Sequence, residues 1–298
     1  MNVPKPTLDL FLDPGNRRAF SSHDRHWESN RYVYPVVSRR SGGISIGVNL
    51  NPDKICNFDC IYCCVNRRIA GGPSAVDLAV LQSELTHMLQ MVQSGNIYAI
   101  EPFVGIAPAL RRLNDIAFSG DGEPTTCPQF FEACQLAAEI LRTHELPEVK
   151  IVIITNATML HRPAIQESLA FLDRHNGEIW AKLDAGTEAY YQQVDRSKIP
   201  LKRILDNITT CARHRPLVIQ TLLMKVHNQP PGEAEIEAYI QRLTDIRRAG
   251  GNIKLIQLYT LARHTTEAYA TALPPTELAA IGTKIGTALP EIAVHVFP

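Results

Sequence analysis

Cys56, Cys60 and Cys63 stand at a C-x3-C-x2-C spacing. Thiolates four and three residues apart on one short loop can converge on a compact centre. Three are one too few for a closed structural zinc site or a fully capped iron–sulfur cubane. A cubane on such a loop leaves one iron without a protein ligand, and an open iron is a place for chemistry rather than stability. The competing reading is structural zinc, with Cys64 or Cys127 as fourth ligand. Cys63 and Cys64 are adjacent, so their side chains do not readily face one metal. Cys127, Cys134 and Cys211 read as small buried apolar residues. The ten histidines give no pair at useful metal-ligand spacing.

Such a loop needs a scaffold, and the hydrophobic pattern supplies one. Strand-like runs occur at 44–50, 114–119, 149–155, 178–184, 217–224, 253–260 and 292–297. Between them, helical spacing covers 78–92, 128–143, 161–174, 201–214, 233–249 and 275–288. Ile151-Val152-Ile153-Ile154 is continuously apolar, as in a strand buried on both faces. Alternating strands and helices of this kind predict an α/β parallel sheet with right-handed crossovers. Six βα units fit a partly closed, TIM-like barrel. No G-x-G-x-x-G follows the first strand, against a dinucleotide-binding sheet. Residues 1–40 read as an N-terminal extension, with breakers at Pro4, Pro6, Pro14 and Gly15. Its stretch through Arg25, His26, Trp27, Arg31, Tyr32 and Tyr34 either packs on the main domain or stacks on a base. Residues 41–298 read as the barrel domain, with an irregular insertion at 94–112.

At 298 residues, with 45 % apolar and 20 % charged residues, the chain is long enough for a large core. Thirty basic and thirty acidic residues cancel, so bulk charge selects no nucleic acid or membrane partner. Locally, Arg196, Lys198, Lys202, Arg203, Arg213 and Arg215 face only Asp206, which reads first as a solvated helix face. There is no signal pattern or spanning run, and the cysteines do not form a secreted disulfide framework. The expectation is a cytoplasmic protein without a membrane partner.

In barrels and open α/β sheets, sites form at the carboxyl ends of strands. Here those ends carry the cysteine loop, then Ser119-Gly120-Asp121-Gly122-Glu123-Pro124-Thr125, Thr155-Asn156, Lys182-Leu183-Asp184, Met224-Lys225 and Tyr259-Thr260, with Asn228 and Arg263 just beyond. Convergence of these exits predicts one large polar site.

The cysteine loop with Tyr62 before its last cysteine, followed by Gly122-Glu123-Pro124 after the second strand, resembles the radical S-adenosylmethionine (radical SAM) enzymes. Within them, KICNFDCIYC, FSGDGEPT, ITNAT, KLDAG and IQLYTLAR resemble the group related to the tRNA wyosine-base synthases, in the same order from residue 44 to about 290. The resemblance implies a partial (βα)6 barrel in which Cys56, Cys60 and Cys63 hold a [4Fe–4S] cluster. S-adenosylmethionine would chelate the open iron through its amino and carboxylate groups. Gly120, Asp121, Gly122 and Glu123 would bind the methionine ammonium. Tyr62 would lie by the adenine, Asn156 and Asp184 on the ribose and methionine side, and Lys182 by the carboxylate. An electron from the reduced cluster would cleave the sulfonium, giving methionine and a 5′-deoxyadenosyl radical that takes hydrogen from the substrate. The resemblance also implies an electron donor such as flavodoxin or ferredoxin.

Asp121 stands where many relatives have glycine, and Lys182 where they often have a small hydroxyl residue. No cysteine precedes Cys56 to hold the second cluster of wyosine-forming enzymes. Substrate identity is thus open between a tRNA base, a protein that receives a glycyl radical, and other molecules. A zinc-bound interaction scaffold is the non-enzyme alternative.

Overall fold

The computed structural model describes residues 13–22, 27–263 and 265–298. Pro4, Pro6, Arg25 and His26 lie outside them. The chain divides into two compact units. The first comprises residues up to Ile55, Ala70–Ile153 and Glu167–Glu178; the second comprises Cys56–Ile69, Ile154–Gln166 and Ile179–Pro298.

The first unit contains α1 (Pro14–Ser21), β1 (Val33–Ser38), β2 (Gly43–Val48), α2 (Leu78–Gln93), β3 (Leu113–Phe118), α3 (Phe130–Thr143) and β4 (Lys150–Thr155) up to Ile153. Strands β2, β3 and β4 are parallel neighbours, and β1 runs antiparallel to β2 over six residue pairs. All six residues of β2 are buried, as its apolar character predicts. β1 falls inside the segment read as an extension. Pro35 at its centre disguises it: proline lacks a ladder donor and is tolerated here because β1 has a sheet neighbour on one side only. The start of β1 is fixed from α2, where the buried Glu84 carboxylate accepts from the backbone N–H groups of Arg31, Tyr32 and Val33 at 2.7, 2.9 and 3.1 Å. Tyr34 then lies over Gly47, where any Cβ would run into its ring, and donates its hydroxyl hydrogen to the Ser119 carbonyl at 3.0 Å. A glycine in β2 therefore lets a β1 side chain brace the entry to the Gly120 loop. The 94–112 insertion is irregular, with short 3-10 turns at Asn96–Ala99 and Pro108–Leu110.

α4 (Pro163–Leu172) and β5 (Gly177–Lys182) carry the unit boundaries. The second unit continues with α5 (Glu188–Val194), α6 (Leu201–His214), β6 (Leu217–Leu222), β7 (Met224–Val226), α7 (Glu233–Arg248), β8 (Ile253–Tyr259), β9 (Ala270–Ala272), α8 (Pro275–Ala288) and β10 (Ala293–Phe297). Its main strands pair in parallel in the order β5-β6-β8-β10. The apolar run expected at 217–224 breaks at Leu223, because β7 leaves to pair antiparallel with β9. α6 buries Leu201, Ile204, Ile208 and Cys211, a stripe at helical spacing. Among the described residues no helix is long and apolar enough to cross a membrane.

At the amino end of β3, Asp115 is 2 % exposed and accepts from the Ser45 hydroxyl. Burial pushes its carboxyl up to about 6 and Glu178 pushes in the same direction, against the Ser45 hydrogen bond and Lys150. A carboxyl raised in the folded state holds its proton to higher pH than in the unfolded chain. Its contribution to stability therefore falls as pH rises from about 4 to about 6, and is constant on either side. The full cost above that window is about 3 kcal/mol. Asp115→Asn is expected to raise stability at pH 7 by up to that amount and to flatten this part of the profile. Urea midpoints from pH 4 to 8 test it, and an unchanged slope in the variant would refute it.

Candidate radical SAM site

In the second unit the cysteine loop has no regular secondary structure, so side chains and a few backbone bonds must hold it. Ile61 (1 % exposed) and Phe58 (7 %) anchor it in the core, with Phe58 edge-on to Tyr191 at 5.7 Å. The loop docks on the end of α5: Asp59 N–H donates to the Asp195 carbonyl at 3.1 Å and Ile61 N–H to that of Val194 at 2.9 Å. The Cys63 carbonyl accepts from Thr266, through N–H at 3.1 Å and hydroxyl at 3.2 Å.

Cys63 and Cys60 sit in different surroundings. Cys63 Sγ accepts from Val65 N–H at 3.4 Å and from Arg67 Nη1 at 3.1 Å. Burial pulls the Arg67 guanidinium down, but Cys63, with Cys56 and Cys60, more than offsets this. Cys60 instead donates its thiol hydrogen to Asp195 Oδ1 at 3.4 Å. Burial, then the charges of Asp195 and Asp184, raise the Cys60 thiol well above its ordinary value. Among the described residues no three His, Cys, Asp or Glu side chains are already gathered as a metal-binding group. A soft centre that replaces the Cys60 proton would complete the set, since thiolate ligation releases protons.

Behind the loop lies a buried polar chain. The Tyr62 hydroxyl donates to Asp184 Oδ2 at 2.5 Å and lies 3.3 Å from Asp195 Oδ1. Lys182, at the end of β5, is paired with Asp184 at 3.0 Å and donates to the Tyr259 hydroxyl at 2.7 Å. Its ammonium is 4.9 Å from the ring centroids of both Tyr62 and Tyr259. Burial would lower its pKa, yet Asp184 and Tyr259 win and raise it, so Lys182 stays a cation. Asp184 also accepts from Leu222 N–H at 2.7 Å. Burial, followed by the Asp184 charge, raises the Asp195 carboxyl well above the usual range. Asp195 is thus the group pushed toward its neutral form, beside the Lys182–Asp184 pair. Asp184 does not cap a helix: Thr187 does, accepting from Tyr190 N–H.

Asn156, after β4, bonds elsewhere. Its Nδ2 donates to Asn57 Oδ1 at 2.6 Å and its Oδ1 accepts from the Thr158 hydroxyl at 2.7 Å. Asn207 on α6 holds this turn by donating to the Ala157 and Thr158 carbonyls at 2.9 and 3.1 Å.

In the first unit, Gly120 to Glu123 form the loop after β3. Asn49, after β2, grips it twice: Asn49 Nδ2 donates to Asp121 Oδ2 at 2.8 Å and Asn49 Oδ1 accepts from Asp121 N–H at 3.1 Å. Gly122 packs so closely that a Cβ would collide with the Ile55 carbonyl oxygen and Asn51. Glu123 is 3 % exposed and accepts from Thr125 N–H at 3.2 Å and from the Thr125 hydroxyl at 2.5 Å.

Lys182, Asp184, Tyr62 and Cys60 thus join one network, whereas Asn156 serves the neighbouring turn. Asn49 and Asp195 escape a reading of the sequence alone. Asn49 shows as an asparagine at the end of an apolar strand; Asp195 follows a helix with no motif around it.

A parallel α/β fold with three cysteines on one loop and a glycine-rich acidic loop after the next strand defines an iron–sulfur enzyme class. The Radical SAM superfamily model matches residues 50–240, and the chain belongs to that superfamily. Its members are enzymes built on S-adenosylmethionine and an iron–sulfur cluster, and its partial parallel barrel is the fold class here. A UPF0026 protein of Helicobacter pylori (strain ATCC 700392 / 26695) is 27 % identical over 224 residues, covering 72 % of this chain and 63 % of that protein. Among solved structures, Streptococcus suis SuiB bound to S-adenosylmethionine superposes with a TM-score of 0.57 at 12 % identity, covering 84 % of this chain and 50 % of that one. TYW1, solved with a lysine-pyruvate adduct bound, gives 0.51 at 15 % identity, covering 84 % of this chain and 74 % of that one. This chain spans 33–63 % of the length of the first curated relatives that it matches.

Proposed function

We propose that this chain cleaves S-adenosylmethionine reductively at a [4Fe–4S] cluster held by Cys56, Cys60 and Cys63, and so starts hydrogen abstraction on a substrate. The observation that carries the reading is the donor set: three thiols on one anchored loop, with a guanidinium at the sulfur of Cys63. Soft sulfur ligands select iron–sulfur centres or zinc. When bound, the cluster supplies the electron that splits the sulfonium into methionine and a 5′-deoxyadenosyl radical.

The chain's own residues do the rest. Gly120, Asp121, Gly122 and Glu123 would bind the methionine ammonium through a loop that Asn49 holds in shape. Tyr62, held by Asp184 and Lys182, would present its ring to the adenine. Asp184 and Asn156 would serve the ribose and methionine side. Lys182 would reach a carboxylate by sharing the charge it now gives Asp184. Reduced flavodoxin or ferredoxin would deliver the electron. A tRNA substrate draws less support from the basic 196–215 segment, because four of its cations are already engaged. Arg196 bonds Glu267, Lys202 bonds Asp206, Arg213 bonds the Ala249 carbonyl and Arg215 bonds Cys211.

The test is anaerobic reconstitution with iron and sulfide, then S-adenosylmethionine and dithionite, with 5′-deoxyadenosine read by chromatography. A brown protein with about four irons per chain that forms this product is the expected result. A colourless protein with about one zinc would overturn the reading in favour of a scaffold.

A further inference from the structure

We infer that Arg67 is a positioning residue that sets the reduction potential of the iron–sulfur centre by acting through the sulfur of Cys63. The inference rests on the proposed ligand role of Cys56, Cys60 and Cys63.

Arg67 lies four residues after the last of those cysteines, on the loop that carries all three. Its Nη1 is 3.1 Å from Cys63 Sγ, and Val65 N–H adds a second donor at 3.4 Å. The side chain is half-buried, while Arg68 beside it is exposed. The chain shapes this segment locally: Arg68 N–H donates to Asn66 Oδ1 at 3.0 Å, closing a turn around Arg67. An arginine kept for solubility has no need of a sulfur partner, and neutral donors would satisfy a cysteine sulfur without a charge.

The physical effect has a definite sign. Reduction adds one electron and one negative charge to a centre that shares its charge with its sulfur ligands, with no bond made or broken and no proton moved. A fixed cation and hydrogen-bond donors at a ligand sulfur stabilise the more negative state and raise the potential. Arg67 would thereby let a weaker reductant load the electron.

The experiment titrates the reconstituted protein with dithionite through viologen mediators, following the reduced centre by electron paramagnetic resonance. Wild type is compared with Arg67→Lys, Arg67→Gln and Arg67→Ala, each normalised to bound iron and sulfide. Arg67→Gln keeps a donor and loses the charge. It should lower the reduced-to-oxidised ratio at fixed potential about tenfold, or about 59 mV for one electron. Arg67→Ala should fall at least as far, and Arg67→Lys, which keeps the charge without the fork, should lie between Arg67→Gln and wild type. Product formation should drop at limiting reductant and recover in excess dithionite. Equal potentials in Arg67→Gln and wild type would overturn the inference. If Arg67→Ala fails to hold iron, the Lys and Gln variants still decide. Failure of wild type to take up iron would instead remove the ligand assignment on which Arg67 depends.

Discussion

Cys56→Ala, Cys60→Ala and Cys63→Ala should each lose iron loading and 5′-deoxyadenosine formation to background, while Cys211→Ala keeps both. The loss should go well beyond the roughly 10–100-fold that removal of an outer-shell partner costs a metal site, because a primary ligand disappears. The comparison is fair on folding grounds. Cys211 is fully buried on α6, with its sulfur accepting from Arg215 at 3.3 Å. Its replacement should therefore cost stability at least as much as that of the partly buried loop cysteines. Urea unfolding of all four variants before iron is added separates the two effects: the loop variants should unfold near wild type and still fail to load. Cys60→Ala is the sharpest of the three, since its thiol also meets the buried polar chain, through Asp195 Oδ1 at 3.4 Å. A Cys60→Ala protein that cleaves S-adenosylmethionine at the wild-type rate would sink the assignment.

How far such a site can be read ahead of the structure depends on the kind of order involved. The parallel strands were legible because burial on both faces leaves a continuous apolar run, as in Ile151 to Ile154. α6 was legible because its buried stripe has helical period. β1 was hidden because Pro35 carries a breaker's signal, and only its place beside β2 makes that harmless. At the site, residues in sequence-local motifs stood out: the cysteines, Tyr62 and the Gly120–Glu123 loop. Residues whose role is to hold others did not, because that role depends on contacts between distant positions. Asp195 meets Cys60 from 135 residues away and Asn49 meets Asp121 from 72. Asp184 shows a second limit. It stands just before the helix that opens at Glu188, but Thr187 caps that helix and leaves Asp184 to Lys182, Tyr62 and Leu222.

Removal of the Lys182 ammonium should be the most damaging single change in that network. The side chain is 12 % exposed and its partner Asp184 only 1 %. Lys182→Met keeps much of the volume and deletes the cation, so Asp184 would remain buried without its counter-charge and close to Asp195. Breaking a buried pair from one side costs about 3–5 kcal/mol, whereas removing both charges can be nearly neutral. Lys182→Met is thus expected to lose that amount in urea unfolding at pH 7. The double variant with Asp184→Asn should recover at least half, since asparagine still accepts from Leu222 N–H. Because Lys182 also sits over the Tyr62 ring, both proteins should bind S-adenosylmethionine more weakly than wild type even where stability returns. The two readouts therefore separate: stability follows charge balance, and binding follows the position of Tyr62. If Lys182→Met matched wild type in unfolding, the pair would be solvated rather than buried. If the double variant recovered binding along with stability, Lys182 would act on fold alone and Tyr62 would not depend on it.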